Sequence, residues 1–221
     1  MSGSMQNDIA EKLFQHRKAV IVAPAGCGKT ELIARSMEFS TGGTQLILTH
    51  THAGVKCLQD RMKKYRISSS KYSINTIAGF SKEIAYAYPK SSGLDPATKE
   101  DPNWDDIYPA AAKVLSTTFG KKILASSFKG LYVDEYQDCN TPQHQLIIKI
   151  AEALPTRILG DPMQGIFEFQ AIPLVAWDTE IFPYFEKIAE LDTPWRWKDK
   201  NNALGTWLME VRKIILEGKS I

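Results

Sequence analysis

An α/β fold, with a parallel sheet covered by helices on both faces and a short helical insertion, is what this sequence predicts. Three observations carry the prediction. Short apolar runs rich in Val, Ile and Leu recur along the 221 residues. Each is followed by polar or glycine-bearing residues and then by a segment of helical period, which is the rhythm of strand, crossover helix and parallel strand. The composition, 43% hydrophobic and 24% charged, is that of a globular chain and excludes collagenous, low-complexity and wholly disordered classes.

Taken in order, the first run (19–22) leads into a helix over 28–39, and the second (45–49) into a helix over 53–65. A weaker run (72–75) precedes a helix-like stretch over 76–88. Residues 88–104, with three prolines, break the rhythm, and a helical segment over 105–116 follows. Residues 89–119 therefore read as a short insertion into one parent domain formed by 6–88 and 120–221. The rhythm resumes with a strand at 130–133, a helix over 142–154 with Thr141 as its N-cap and proline first, and a strand at 157–159. The last segment, 200–217, places Leu204, Trp207, Leu208, Val211, Ile214 and Ile215 on one stripe, so it is expected to dock on a core. Residues 1–5 read as a cloning remnant that ends in the true initiator methionine, Met5.

A net charge of +2 excludes a supercharged binder, so any nucleic-acid contact must be local. Cys27, Cys57 and Cys139 are too far apart for a zinc site or a disulfide framework, and a reducing compartment fits. With no apolar run near 18 residues and no signal-peptide core, the expected location is cytoplasmic, without a membrane partner.

The strongest local signal is AVIVAPAGCGKT, residues 19–30, where an apolar strand enters a glycine-bearing loop that opens a helix. This is the P-loop pattern of nucleoside-triphosphate binders, with ATP and Mg²⁺ as the expected ligands. Gly26 and Gly28 permit the tight turn whose N–H groups surround a phosphate, Lys29 supplies a point charge, and the Thr30 hydroxyl ligates Mg²⁺. Ala23 stands in place of the usual first glycine, and Pro24, Ala25 and Cys27 complete the loop. The competing reading is an ordinary strand-to-helix turn with an exposed lysine. The second signal is GLYVDEYQDCN, residues 130–140, a buried strand ending in adjacent carboxylates. There Asp134 can hold Mg²⁺ while Glu135 orients and deprotonates an attacking water. An acidic turn at a strand end is the plain alternative.

These motifs resemble those of the UvrD/Rep-like superfamily 1 helicases, over nearly the whole chain. APAGCGKT looks like motif I and DEYQD like motif II; GDPMQGIFEFQA (160–171) is similar to motif III. LILTHTHAGVKCLQDRM (46–62) sits where motif Ia belongs, NTIAGF (75–80) matches the next DNA-contact motif, and TPWRW (193–197) lies where motif IV supplies an aromatic and an arginine. The resemblance implies a RecA-like ATP-binding motor domain.

It also implies roles. Gln6 falls where the family's adenine-reading glutamine lies, against the reading of a solvated N-terminal residue. Gln164 would sense the γ-phosphate, Trp195 would stack on adenine, and Arg196 would reach the γ-phosphate. Core packing is the alternative for Trp195 and Trp197. For single-stranded DNA the resemblance points to Thr49, His50, Thr51, Thr76 and Phe169, each with a structural alternative.

Ala78, Gln170 and Glu31 depart from the family pattern and weaken the expected grip on DNA and nucleotide. Nothing after Arg196 resembles the second RecA-like domain, whose arginine is typically worth on the order of 10³ to 10⁵ in turnover. The expectation is an excised first motor domain, weakly active or inactive alone, binding single-stranded DNA weakly and partnered by a second RecA-like domain in the full-length protein. The alternatives are a regulatory P-loop switch acting on a protein partner and a degenerate scaffold. The intact Lys29, Thr30, Asp134 and Glu135 argue against the last.

Overall fold

Each apolar run becomes a strand, and in the four strongest runs alternate side chains enter two different cores. The computed structural model describes residues 3–165 and 173–219. Among the described residues six strands, β1 (Lys18–Val22), β2 (Gln45–Thr49), β3 (Tyr72–Thr76), β4 (Gly130–Val133), β5 (Thr156–Gly160) and β6 (Glu186–Glu190), form one sheet. Their order is β3-β2-β4-β5-β1-β6, and every pairing is parallel. Val20, Val22, Leu46, Leu48, Leu131, Val133 and Ile158 face one core. Ala19, Ile21, Ile47, Tyr132 and Leu159 face the other. A sheet buried on both sides needs apolar residues at consecutive positions, which is why these runs are continuous rather than alternating.

One face is covered by α1 (Gly3–Gln15), α2 (Lys29–Ser36) and α3 (His52–Lys64), through Leu13, Leu32, Ile33, Leu58 and Met62. The other is covered by α4 (Ile77–Ala87), α6 (Trp104–Ser116), α7 (Thr118–Ser127) and α8 (Thr141–Ala153); a single turn, α5 (Pro89–Ser92), links α4 to a 3-10 turn before α6. Ala110, Ala111 and Leu115 of α6 lie in the same core as Val133 and Ile150, so residues 104–116 are part of the layer that packs on the sheet. Each fully buried Leu or Ile contributes roughly 1.5–3 kcal/mol.

Several elements differ from the sequence reading. The helix expected over 28–39 is α-helical only to Ser36 and ends in a 3-10 turn, Met37–Phe39. The N-cap of α8 is Asn140 rather than Thr141: its side chain accepts from Gln143 N at 3.0 Å, and the Gln143 side chain accepts from Asn140 N at 3.1 Å. That reciprocal box satisfies two donors, which a threonine one residue later would not. Helix α1, α7 and edge strand β6 were not foreseen. The C-terminal helix α10 (Asn202–Leu216), joined to the short α9 (Trp195–Lys198), forms as expected but does not bury its stripe. Leu204, Trp207 and Ile215 are exposed, and Gly205 is the buried residue of α10.

Helix α1 is held by a buried arginine. Arg157 Nε on β5 donates to the carbonyls of Leu13 (3.2 Å) and His16 (3.0 Å), and Nη2 donates to that of Phe14. A cation on the C-terminal carbonyls complements the negative end of the helix, and the guanidinium also lies 5.2 Å from the Tyr132 ring centre. This anchorage sets where the N-terminal end of α1, with Gln6, falls.

Candidate active site

The loop between β1 and α2 is shaped by two left-handed glycines, Gly26 (φ 74°) and Gly28 (φ 96°), a backbone region closed to most L residues. Gly28 is the N-cap of α2 and brings no side-chain cap, so the first N–H groups of that helix keep their bonding capacity. Ala23 and Cys27 lie buried beneath the loop, with Ala23 N donating to Gly160 O at 2.9 Å. Burial raises the Cys27 thiol to about 11, which leaves it protonated and inert.

Lys29 Nζ donates to Ala23 O at 3.0 Å and lies 3.1 Å from Glu135 Oε2. An ammonium has three donors, so a third remains for an anion. Thr30 Oγ1 donates to Asp134 Oδ2 at 3.1 Å. Glu135 follows β4 in the left-handed region (φ 55°), a conformation that costs an ordinary L residue about 1–2 kcal/mol. Gln137 Nε2 donates to the same Oε2 at 2.9 Å, so Glu135 Oε1 is left to accept elsewhere. Asp134 is buried, and burial together with the neighbouring Glu135 raises its pKa to about 6. Asp138, half-buried, is raised to about 6 for the same two reasons.

A cleft of about 600 Å³ opens over this loop. Of the residues predicted from sequence it is lined by Gln6, Pro24, Ala25, Gly26, Gly28, Lys29, Thr30, Glu135, Trp195 and Arg196. The TPWRW segment lies directly on the loop: Arg196 N donates to Gly26 O at 3.1 Å, and a Cβ on Gly26 would meet the Trp197 ring at 2.7 Å. Trp195 is half-buried, with Lys198 Nζ 4.5 Å from its ring centre. Gln164 stands outside this lining, on a 3-10 turn (Pro162–Gln164) after β5.

The cleft also has a wall that the sequence reading missed. Glu31 receives Arg61 Nη1 at 2.6 Å, Arg35 Nη2 at 3.6 Å, Lys64 Nζ at 3.7 Å and the Tyr65 hydroxyl. Three cations on one carboxylate leave this wall net positive, so the departure at Glu31 organises basic residues from α3 instead of removing charge. The spacing of Glu31 and Arg35 was legible as an i,i+4 pair; the partners on α3 were not.

Thr49, His50, Thr51 and Thr76, four of the residues assigned to nucleic acid, lie at the ends of β2 and β3. Thr49 is buried under Gly54. Thr51 and Thr76 cap α3 and α4, accepting from Gly54 N at 3.0 Å and Gly79 N at 2.9 Å. Among the described residues neither hydroxyl proton has an acceptor. His50 is half-buried with Nε2 3.6 Å from Cys139 Sγ, and burial lowers its pKa to about 4, so it is neutral near pH 7. Phe169 and Gln170 lie outside the described residues.

A family model described as an AAA domain matches residues 6–170. The chain belongs to the AAA domain family. As an AAA domain it is a P-loop NTPase domain of α/β type, in line with the parallel sheet and the glycine loop. A solved structure of arterivirus nonstructural protein 10, a helicase in complex with DNA, is similar at 13% identity over 84% of this chain, with a TM-score of 0.45. The chain spans 38% of the length of that one. No curated protein matches. Among the described residues no helix is long and apolar enough to cross a membrane, and no three His, Cys, Asp or Glu side chains gather as a metal site.

Proposed function

We propose that this AAA domain is the ATP-binding motor domain of an ATP-dependent single-strand DNA translocase or helicase of the UvrD/Rep-like type. The observation that carries the reading is the meeting of Lys29, Thr30, Asp134 and Glu135 within 3.1 Å links at the carboxyl ends of β1 and β4. Magnesium fits this pair of oxygens. The Thr30 hydroxyl and the Asp134 carboxylate, 3.1 Å apart, are hard oxygen donors that would hold it, Asp134 through the ion's water shell, and a site with few protein ligands suits an ion that keeps waters and phosphate oxygens. When bound there, Mg²⁺ would neutralise charge on the transferring phosphate.

The chain's own residues do the rest. The free N–H groups of α2 and the Lys29 ammonium hold the phosphates, while Gln6 and Trp195 bracket the base at the mouth of the cleft. Water attacks the γ-phosphorus as the bond to the β-γ bridging oxygen breaks, and Glu135 Oε1 takes the water's proton. Arg196 and Gln164 are assigned to the γ-phosphate. DNA is assigned to the ends of β2 and β3, through the hydroxyl protons of Thr51 and Thr76, with Thr49, His50 and Phe169 completing the sequence-derived set. The second RecA-like domain would supply a further arginine.

The test is single-turnover hydrolysis with the protein in excess over ATP and Mg²⁺, with and without a single-stranded oligonucleotide. Wild type should bind and slowly hydrolyse ATP, whereas Glu135→Gln should bind within about twofold of wild type and lose hydrolysis, because an amide keeps the shape but cannot take the proton. Hydrolysis by Glu135→Gln at the wild-type rate would remove Glu135 as the base.

A further inference from the structure

One buried ion pair plays no part in the chemistry so far. Asp161, directly after β5, is fully buried, and its carboxylate receives both arms of Arg212, Nη1 to Oδ2 at 2.8 Å and Nη2 to Oδ1 at 2.7 Å. A two-point fork of this kind fixes orientation as well as distance. Arg212 lies on α10, whose large apolar side chains Leu204, Trp207, Ile215 and Leu216 are exposed. Met209 packs against the core and Leu208, Val211 and Ile214 are half-buried, so the helix is only partly held by apolar contact, and among the described residues the fork is its polar tie to the sheet.

Asp161 is joined to the reacting end of the cleft by two routes. Its Oδ1 accepts from Met163 N at 3.1 Å and its carbonyl accepts from Gln164 N at 2.9 Å, so the turn that carries Gln164 is folded on Asp161. In the other direction, Asp161 N donates to Gln137 Oε1 at 3.0 Å. A backbone N–H can only donate, so the Gln137 amide must turn its oxygen to Asp161 and its nitrogen to Glu135, where Nε2 donates to Oε2 at 2.9 Å. One residue thereby touches the supports of two groups assigned to hydrolysis, through its backbone N–H and C=O and, on the Gln164 turn, through its carboxylate as well, and one arginine holds that carboxylate.

We infer that Arg212 is a positioning residue for γ-phosphate cleavage, acting through Asp161 on Gln164 and, by way of the Gln137 amide, on Glu135. The inference rests on the assignment of Glu135 as the base. Because α10 follows directly on α9, which covers the glycine loop with Trp195, the same helix ties the base-binding side of the cleft to its hydrolytic side.

The experiment compares wild type, Arg212→Met and Arg212→Lys in single-turnover hydrolysis, in nucleotide affinity by calorimetry, and in amide exchange over residues 161–165. Methionine keeps an unbranched stem and removes the fork. Arg212→Met should hydrolyse about 10- to 100-fold more slowly, since small misplacements of reacting groups have effects of that size, with affinity within about twofold of wild type. Arg212→Lys, which keeps the charge but not the fork, should recover part of the rate. The amides of Met163 and Gln164 should exchange faster in Arg212→Met while those of β4 stay protected. A folded Arg212→Met with wild-type rate overturns the inference. If that variant fails to fold, a wild-type rate in Arg212→Lys overturns it. Where wild type turns over too slowly to measure without its second RecA-like domain, the amide exchange decides: Met163 and Gln164 amides that exchange in Arg212→Met as they do in wild type overturn the inference, whereas hydrolysis by Glu135→Gln at the wild-type rate brings down the proposed base and is told apart by that variant.

Discussion

Three strand-to-helix loops leave the same edge of the sheet, and they treat the helix that follows in opposite ways. Between β1 and α2 the N-cap is Gly28, with no side chain to give, so the first N–H groups of α2 stay available. Between β2 and α3, and between β3 and α4, Thr51 and Thr76 close the helix with their own oxygens. An uncapped N-terminus offers donors and the positive end of the helix dipole to a phosphate, whereas a capped one has already committed a donor. The edge is thus divided into an open loop built to take a phosphate group and closed loops that meet a ligand through hydroxyl protons alone.

The strongest way to break this contrast is at Lys29, whose charge completes the open loop. Lys29→Ala should weaken ATP binding roughly 10- to 150-fold, as the loss of a charge-assisted contact worth about 1.5–3 kcal/mol requires, and calorimetry reads it directly. Comparable binding by both proteins would mean that the loop is as closed to phosphate as its neighbours.

A smaller effect is expected at Asp134, the carboxylate behind the open loop. Its pKa is raised to about 6 from 3.8, so its proton favours the folded state, and stability is lost as pH rises through about 6 and the buried group ionises. Asp134→Asn has no such group to ionise. Without Mg²⁺, it should be more stable than wild type at pH 7 by about 1–3 kcal/mol, a difference that shrinks toward pH 4. His50, lowered to about 4, works in the opposite direction, destabilising the fold as pH falls from 6.5 through 4, but it is common to both proteins and drops out of the comparison. Denaturant unfolding at several pH values measures the difference; parallel stability curves would show that burying Asp134 costs nothing.

The smallest effect belongs to the closed loops. Thr51→Ala and Thr76→Ala should each destabilise the fold by about 1 kcal/mol, the usual worth of a threonine cap, while leaving ATP affinity unchanged. A change in nucleotide affinity would mean that the two kinds of loop are coupled.

What the sequence made legible follows from burial. Strands β1, β2, β4 and β5 are covered on both faces, so they read as unbroken apolar runs. Edge strand β6, EKIAE, is paired on one side and partly exposed, and its charged residues carry no strand period. Helix α1 had a usable signal in Ile9, Ala10 and Leu13, one face of a helix, beside the Gln6 that was singled out. The glycine loop and the paired carboxylates were legible because their chemistry is local. The Glu31 wall and the Arg212 fork were not, because their partners come from other elements up to 51 residues away and no spacing rule links them. For α10 the period announced a helix but not what, if anything, would cover its stripe.

The pairing of β1 has a consequence for the birth of the molecule. Its neighbours are β5 and β6, and none of the strands made in between touches it. As the chain is synthesised, Lys18–Val22 emerges with no partner edge to join, and waits until Thr156–Gly160 has followed. Contacts this remote in sequence form late, and an apolar strand left unpaired meanwhile is open to association with other chains or to a chaperone. The β2, β3 and β4 block can assemble first, because its strands pair among themselves. The glycine loop, which hangs from the end of β1, takes its shape only when that block accepts β5 and β5 accepts β1. Nucleotide thus arrives at a site whose existence certifies that the sheet behind it has been completed.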